Sequence, residues 1–239
     1  MDEDSKFVRS KSFAKLLNGS DNYFLLITRN YLADLPISVD EIYELTGAKN
    51  KKFKSLYEEK YKMYDRPSES TLPYKPEIII TEDSKSGYQF FKTIVNKCGI
   101  ECISAEGKSK IITKLKEYSD KKVVVIADGA AFGPEMDEVV KQQDLNPKNM
   151  AIFLPESFEW LILKSGVVKL DDTEKVDKPE LFVDSTEFIS WERYFTTLLE
   201  SITREIEYQH YKKNKLPEYY LQEKNVEKIK AIIRGIDFE

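Results

Sequence analysis

The sequence contains few of the residues on which thiol and imidazole chemistry depend. Its 239 residues include two cysteines, Cys98 and Cys102, and one histidine, His210. The C-x3-C spacing of the cysteines, without a histidine nearby, fits no zinc pattern. A triad or metal site built on histidine would rest on one residue, which lies in the charged stretch EYQHYKKNK. We therefore expect two reduced thiols in a cytoplasmic protein.

Long apolar runs and the common phosphate-binding loops are also missing. No stretch approaches the ~18 to 20 apolar residues that span a bilayer, and the polar segment MDEDSKFVRSK does not resemble a secretory signal, so we expect no membrane association. Neither G-x-x-x-x-G-K-[ST] nor G-x-G-x-x-G occurs, which argues against nucleotide hydrolysis and a dinucleotide cofactor. The net charge of −5 argues against coating nucleic acid through bulk charge, but is compatible with a local basic stripe.

Short apolar runs alternate with helical patterns over residues 76–170. The predicted strands are EIIIT, IECISA, KVVVIA and NMAIFL, and the helices that follow them are SGYQFFKTIVNKC, KSKIITKLKEYS, GPEMDEVVKQQD and PESFEWLILKS. Continuous apolar strands are typical of a sheet covered on both faces. The β-α order with short loops implies parallel strands with right-handed crossovers. We therefore expect an α/β domain with a mostly parallel, four-stranded sheet flanked by helices.

Residues 1–75 predict a helix-strand-helix segment. The helix signal SKSFAKLL is followed by the strand signal NYFLLITR and by the helical stretch SVDEIYELTG, where Ser38 is the expected N-cap and Glu41 closes a capping box. The stretch YDRPSESTLPYKP is typical of a linker. Before it, GAKNKKFKSLYEEKYK mixes lysines with aromatic residues, which fits either a nucleic-acid-binding surface or a solvated amphipathic helix.

Residues 185–239 predict a helical region. Its first helix is expected to begin with Ser185 or Thr186 as cap and to extend through EYQHYKKN, with an aromatic stripe that fits a core or a helix–helix interface. Pro217 separates it from a final helix, NVEKIKAIIRG. These helices are candidates for contacts between copies in a homo-oligomer.

Carboxylates follow three of the predicted strands. Glu82 and Asp83 come after the first strand, Asp128 after the third, and Glu156 and Glu159 after the fourth. The carboxyl ends of parallel strands meet at one edge of the sheet, where ligands bind in open α/β folds, so these side chains can converge. Clustered carboxylates repel one another unless a cation lies between them, and oxygen ligands suit Mg²⁺ or Mn²⁺. A carboxylate after a strand is also commonly a helix cap.

The pattern IIITED…VVVIADGAAFG resembles the Toprim domain of topoisomerases, bacterial primases, small maturases and overcoming-lysogenization-defect (OLD) nucleases. That domain carries a glutamate after its first strand and Asp-x-Asp-x-x-Gly after its third. Glu82 matches the glutamate, Asp128 the first aspartate and Gly133 the glycine, whereas Ala130 stands at the second aspartate. The resemblance covers residues 77–165 and is closest to the OLD nucleases, because PESFEWL is similar to their carboxylate-bearing helix.

The resemblance implies a metal-dependent nuclease, acting on DNA more than on RNA, in DNA processing or defence against phage. A carboxylate of the helix after Gly133 would replace the ligand missing at Ala130. The expected metal ligands are Glu82, Asp83, Asp128, Glu135 and Glu156, and the expected catalytic carboxylates are Glu82, Asp128 and Glu159. The alternative is a Toprim-like regulatory or binding module without catalysis, in which these groups pair with backbone amides or with lysines such as Lys85.

The first residues resemble the C-terminal part of a P-loop ATPase core. Asp2-Glu3, the helix signal SFAKLL and the strand signal YFLLIT with Thr28 and Arg29 follow the order of that core. This resemblance implies a partner ATPase or an ATPase remnant, and a small segment that caps the sheet domain is the other interpretation.

Overall fold

The computed structural model describes residues 6–20, 22, 24–29, 32, 34–35, 37–47, 52–57, 73–183 and 187–239. Its helices are α1 (Lys11–Asn18), α2 (Ser86–Val95), α3 (Ile111–Glu117), α4 (Met136–Leu145), α5 (Phe158–Lys164), α6 (Glu174–Asp177), α7 (Trp191–Thr203) and α8 (Glu223–Lys230). Its strands are β1 (Tyr43–Thr46), β2 (Lys52–Ser55), β3 (Ile78–Thr81), β4 (Glu101–Ser104), β5 (Val123–Ile126) and β6 (Met150–Phe153). Within these described ranges, no helix is both long and apolar enough to cross a membrane.

Four of the strands form one parallel sheet in the order β4-β3-β5-β6. The α/β prediction is therefore confirmed, with each strand followed by the expected helix. Every residue of β3, β5 and β6 is buried, because helices cover both faces of the sheet. This explains why the strand sequences are continuous apolar runs.

The alternation of side chains along the strands divides the core into two layers. On one face, Ile79, Val124 and Phe153 pack with α2 and α5 and with the C-terminal region. On the other face, Ile80 and Val125 pack with α3 and α4. Both layers are made of branched and aromatic side chains, so the hydrophobic effect fixes the sheet from both sides.

The C-terminal region belongs to the first of these layers. Phe195 and Tyr220 are fully buried there, the ring of Phe238 stacks 6.1 Å from that of Phe91, and Ile236 forms a parallel bridge with Tyr74. Residues 187–239 therefore complete the hydrophobic core on this face of the sheet.

The first C-terminal helix is shorter than predicted. It begins after Ser190, whose hydroxyl caps the N–H of Arg193, whereas the predicted caps Ser185 and Thr186 lie outside the described residues. It ends at Thr203, because the Thr203 hydroxyl accepts a hydrogen bond of 3.0 Å from the N–H of Tyr211 and so closes a non-helical loop. The final helix begins at Glu223, two residues before the predicted start.

The N-terminal region differs most from the prediction. The helix at Lys11–Asn18 is confirmed, with Ser10 as its cap. The strand predicted over NYFLLITR is wrong, since residues 24–28 have no strand hydrogen bonding. Leu25 and Ile27 are 72% and 68% exposed there. The described part of the chain thus shows an apolar run without a neighbouring strand to pair with. Asp2 and Glu3 lie outside the described residues.

The segment after Ser38 was predicted to be helical, and only its first turn is. The capping box is confirmed, because the Ser38 N–H donates to the Glu41 carboxylate over 2.9 Å. After this 3-10 turn, Tyr43–Thr46 pairs antiparallel with Lys52–Ser55. The prediction of a solvated amphipathic helix in GAKNKKFKSLYEEKYK is therefore wrong at residues 52–55, which form a strand paired with Tyr43–Thr46. Most of the predicted linker lies outside the described residues.

Candidate functional site

A cleft opens at the carboxyl edge of the parallel sheet. Its cavity volume is about 40 Å³, which has room for about three water molecules, and it is open to solvent. Its polar wall comes from the ends of β3 and β5, from the starts of α2 and α5 and from the C-terminal region: Glu82, Asp83, Ser86, Asp128, Glu159 and Lys213. The apolar side chains of Phe91, Phe158 and Leu161 form its floor.

The register of the two central strands places Glu82 beside Asp128. Thr81 and Ile126 are paired at the ends of β3 and β5, so the chain reaches Glu82 one residue later and Asp128 two residues later. Asp128 precedes a 3-10 turn, but within the described residues its side chain makes no hydrogen bond to that turn. The cap interpretation of Asp128 is therefore not supported.

Gly129 lets the loop after Asp128 lie directly against the loop after β6. Its N–H donates to the Pro155 carbonyl over 2.6 Å, and a Cβ at this position would come within 2.8 Å of the Leu154 carbonyl oxygen. Next to it, Ala130 is 1% exposed. The position where a second aspartate was expected is thus part of the core.

The two strand-end carboxylates are held in an environment that disfavours their ionised forms. Burial and the nearby Glu192 carboxylate raise the pKa of Glu82 to about 7, against the opposing effect of Lys108. Burial, followed by Glu192 and Glu82, raises the pKa of Asp128 well above its usual range, with Lys213 acting in the opposite direction. The cleft therefore has more negative charge than its lysines balance.

Lys213 provides the cation in the middle of these carboxylates. Its ammonium forms a salt bridge with Glu192 and lies 3.8 Å from the carboxylate of Glu159. Burial alone would lower the pKa of Lys213, but Glu159, Asp128 and Glu192 outweigh it and raise that pKa. The ammonium is therefore charged at neutral pH.

A buried chain of hydrogen bonds fixes Glu159. The Tyr211 hydroxyl donates to Glu159 Oε1 over 2.7 Å and also contacts the hydroxyl of Ser86. Tyr211 and Glu159 are at most 1% exposed. The carboxylate of Glu159 therefore has a fixed orientation towards Lys213, and the C-terminal region and α2 are tied to the same point.

The structure brings four of the six predicted site residues to the cleft: Glu82, Asp83, Asp128 and Glu159. Asp83 forms a salt bridge of 3.1 Å with Lys85 and accepts a hydrogen bond from the Lys85 N–H. Glu135 lies outside the cleft, 3.6 Å from Lys108.

Glu156 also lies outside the cleft. It is buried, and the hydroxyl of Ser38 donates to its carboxylate over 3.4 Å. Because it precedes the helix cap Ser157, its side chain is directed to the N-terminal segment, whereas Glu159 on α5 reaches the cleft.

Three side chains of the candidate site come from the C-terminal region, whose helices were predicted to form core or an interface. Glu192 lies at the start of α7, and Tyr211 and Lys213 follow the loop that ends it. In the sequence, Lys213 belongs to the charged run YKKNK, which is typical of a solvated surface. The folding back of the chain after Thr203 brings it to the cleft.

The donor set can be compared with what a divalent cation requires. Within the described ranges, no three carboxylate, imidazole or thiol groups are arranged to hold one ion between them. Glu82 and Asp128 form a pair of hard oxygen donors with uncompensated charge. Mg²⁺ keeps several waters and commonly uses only one or two carboxylates together with substrate phosphates. The pair therefore fits Mg²⁺ or Mn²⁺ shared with a phosphate-bearing substrate, and does not fit an ion enclosed by protein ligands.

Comparison of the chain with protein-family models, with curated proteins and with solved structures finds no match. The resemblance to the Toprim domain therefore stays a prediction from the motifs.

Proposed function

We propose that the cleft is the site of a metal-dependent enzyme that hydrolyses phosphodiester bonds of nucleic acid, DNA more than RNA. The observation that carries the proposal is a group of four carboxylates from four separate elements at the carboxyl edge of a parallel sheet: Glu82, Asp128, Glu159 and Glu192. Lys213 acts on the last three and Lys108 on Glu82, so the group brings more negative charge than these two lysines balance. Such an excess favours a further cation and, with it, an anionic phosphate.

Asp128 and Glu82 would hold Mg²⁺ or Mn²⁺, with Asp83 beside them. When bound, the cation supplies an activated water and neutralises negative charge on the phosphate. Asp128 would bind the cation, and Glu82 would either share it or take the proton of the attacking water. As the water oxygen bonds to phosphorus, the bond from phosphorus to the leaving oxygen breaks. The water's proton would go to Glu82, or to solvent where Glu82 is a ligand, and the leaving oxygen would take up a proton from solvent water.

Lys213 would bind the substrate phosphate. Its ammonium is held by Glu159 and Glu192 and points into the same cleft. A preorganised positive charge stabilises the charge that develops on phosphoryl oxygens. Glu159 then acts as a supporting carboxylate that orients Lys213, and Tyr211 fixes Glu159 in turn.

The Toprim resemblance extends this proposal to DNA processing or defence against phage, together with a partner ATPase. The thiols Cys98 and Cys102 are both free, in keeping with a reducing compartment, and we propose the cytoplasm as the place of action.

A second candidate is a regulatory or binding module without catalysis, working with a partner ATPase. The specific observation in its favour is that Lys213 already neutralises part of the carboxylate group. In addition, buried Ala130 takes the place of a ligand. In this interpretation the ion pairs of Lys213 only stabilise the folded structure at the carboxyl edge of the sheet.

The test is cleavage of plasmid DNA and of RNA with Mg²⁺ or Mn²⁺, before and after chelation. The wild type is compared with Glu82→Gln and Asp128→Asn, and with Asp120→Asn as a matched control, because Asp120 is exposed and precedes β5 at the opposite edge of the sheet. The enzyme proposal expects cleavage that is lost in the first two variants and kept in the control. A folded wild type that cuts neither substrate with either metal would favour the module.

A further inference from the structure

The antiparallel pair β1–β2, here called the aromatic hairpin (residues 43–47 and 52–55), has one face of exposed apolar side chains. Tyr43, Leu45 and Phe53 are 56%, 48% and 58% exposed. They share a face because Leu45 lies opposite Phe53 and Tyr43 is two residues from Leu45. The rings of Tyr43 and Phe53 meet edge to face, with centroids 6.4 Å apart. The hairpin thus presents a small, ordered aromatic surface to solvent.

Both ends of the hairpin are anchored on the sheet domain. Val39 before it and Tyr57 after it are buried in the same core layer as β3 and β5. The two strands themselves are not covered, although an isolated two-stranded hairpin is marginal in water. The anchors at both ends therefore hold in place a face that does not contribute to the core.

The anchor is at the same edge of the sheet as the cleft. The N–H of Gly133, in the loop that follows Asp128, donates to the Ile37 carbonyl over 3.1 Å. A Cβ on Gly133 would lie 2.8 Å from Ile37 and 3.0 Å from Ile42. The segment that enters the hairpin is therefore packed directly on the loop that carries the candidate metal ligand.

The hairpin itself carries an excess of positive charge, which favours an anionic partner. From Tyr43 to Tyr57 the sequence contains one acidic residue, Glu44, which lies opposite Lys54, and four lysines, in a chain with a net charge of −5: Lys49, Lys51, Lys52 and Lys54. Within the described strands, Lys52 and Lys54 are exposed and alternate with Phe53, so they lie on the other face. One side of the hairpin can therefore stack on bases while the lysines attract the phosphates on either side of them.

We infer that the aromatic hairpin is a binding arm for single-stranded nucleic acid, which it holds beside the cleft. Stacking on Tyr43 and Phe53 needs bases whose faces are free, and a duplex covers those faces with neighbouring base pairs. The inference rests on the proposed function for its substrate class, and it specifies a single strand or an unpaired end. The lysines add an attraction that does not depend on sequence.

The test is fluorescence anisotropy with a labelled oligothymidylate and a duplex of equal length, in chelator so that no strand is cut. The wild type is compared with the double variants Tyr43→Ala/Phe53→Ala and Lys52→Ala/Lys54→Ala. The exposed residues Leu145 and Lys116 provide matched controls as Leu145→Ala and Lys116→Ala. Circular dichroism checks that each variant is folded.

The wild type is expected to bind the single strand more tightly than the duplex, and loss of the two rings is expected to weaken single-strand binding by at least about thirtyfold. Loss of the two lysines is expected to lower the slope of log K against log salt by about 1.4. Aromatic variants that bind like the wild type would overturn the inference. Equal binding of the single strand and the duplex would also overturn it. A third contradicting result would be hairpin variants that bind the single strand normally and differ from the wild type only in self-association, measured by analytical ultracentrifugation.

Failure of the proposed function has a different signature. Binding is measured in chelator, so it does not depend on cleavage at the cleft. If the wild type cuts no nucleic acid with either metal but the hairpin variants lose binding, the binding arm stands and the nuclease proposal fails.

Discussion

Replacing Glu82 with glutamine tests the electrostatics of the cleft without reference to any activity. The Glu82 pKa rises from 4.5 to about 7 on folding. The unfolded chain therefore loses this proton at a lower pH than the folded protein does. Between pH 4.5 and about 7, a rising pH favours the unfolded state of the wild type by about 1.4 kcal/mol per pH unit. Glutamine has no proton to lose, so the variant lacks this dependence.

The free energy of unfolding of Glu82→Gln minus that of the wild type is therefore expected to be constant below pH 4.5. It is expected to grow by about 3 kcal/mol as the pH rises to about 7, and to level off above it. Urea unfolding followed by circular dichroism, in chelator and at a series of pH values, measures this difference. A difference that does not change across this pH range would refute the electrostatic reasoning. Added Mg²⁺ is expected to stabilise the wild type more than the variant, since it offsets the charge that the variant lacks.

Three further substitutions test the framework of the site, each by urea unfolding at neutral pH. Lys213→Met leaves the carboxylates around it without their positive charge and is expected to lower the free energy of unfolding by about 3 kcal/mol. Lys213→Arg keeps the charge and should lower it much less. Equal losses in the two variants would contradict the role of charge. Tyr211→Phe removes the hydrogen bond to buried Glu159 and is expected to cost about 1–3 kcal/mol; an unchanged stability would show that this bond is not formed. Gly129→Ala forces a Cβ against the Leu154 carbonyl and is expected to cost about 1–3 kcal/mol, whereas wild-type stability would mean that the two loops can separate.

The parallel sheet could be predicted because its signals are local. Each strand, such as VVVI in β5, is a short apolar run directly followed by a helical pattern, and burial on both faces of the sheet explains the run. The N-terminal strand signal failed for the opposite reason. FLLIT has the composition of a strand, but a strand needs a neighbour, and none pairs with residues 24–28 in the part of the chain that the structure describes.

The hairpin shows a second limit. The stretch after Ser38 carries a correct helix start, and the capping box is present. The chain nevertheless leaves the helix after one turn, because Tyr43–Thr46 pairs with Lys52–Ser55 and both ends of the hairpin are anchored in the core. Pairing with a later segment outweighed the local signal, which is the usual reason why propensity fails.

For the candidate site, the sequence predicted the side that the strands provide. Glu82 and Asp128 follow paired strands, so their proximity follows from the parallel order alone. Lys213 reaches the cleft through the packing of the C-terminal region, tens of residues from the strands that it faces. Tyr211 and Glu192 come from the same region and contact Glu159 and Lys213. No local sequence pattern distinguishes a lysine of this kind from a solvated one. The position of the Lys213 ammonium among the carboxylates could therefore be found only in the folded structure.

Binding of Mn²⁺, followed by the loss of its free electron paramagnetic resonance signal, tests the central claim most directly. The measurement is made at neutral pH with a short single-stranded oligonucleotide, because the site is expected to share the cation with a phosphate. We predict that the wild type and Asp120→Asn bind Mn²⁺, and that Asp128→Asn does not. Free Mn²⁺ at the same level in all three proteins would contradict a metal-dependent site at this edge of the sheet.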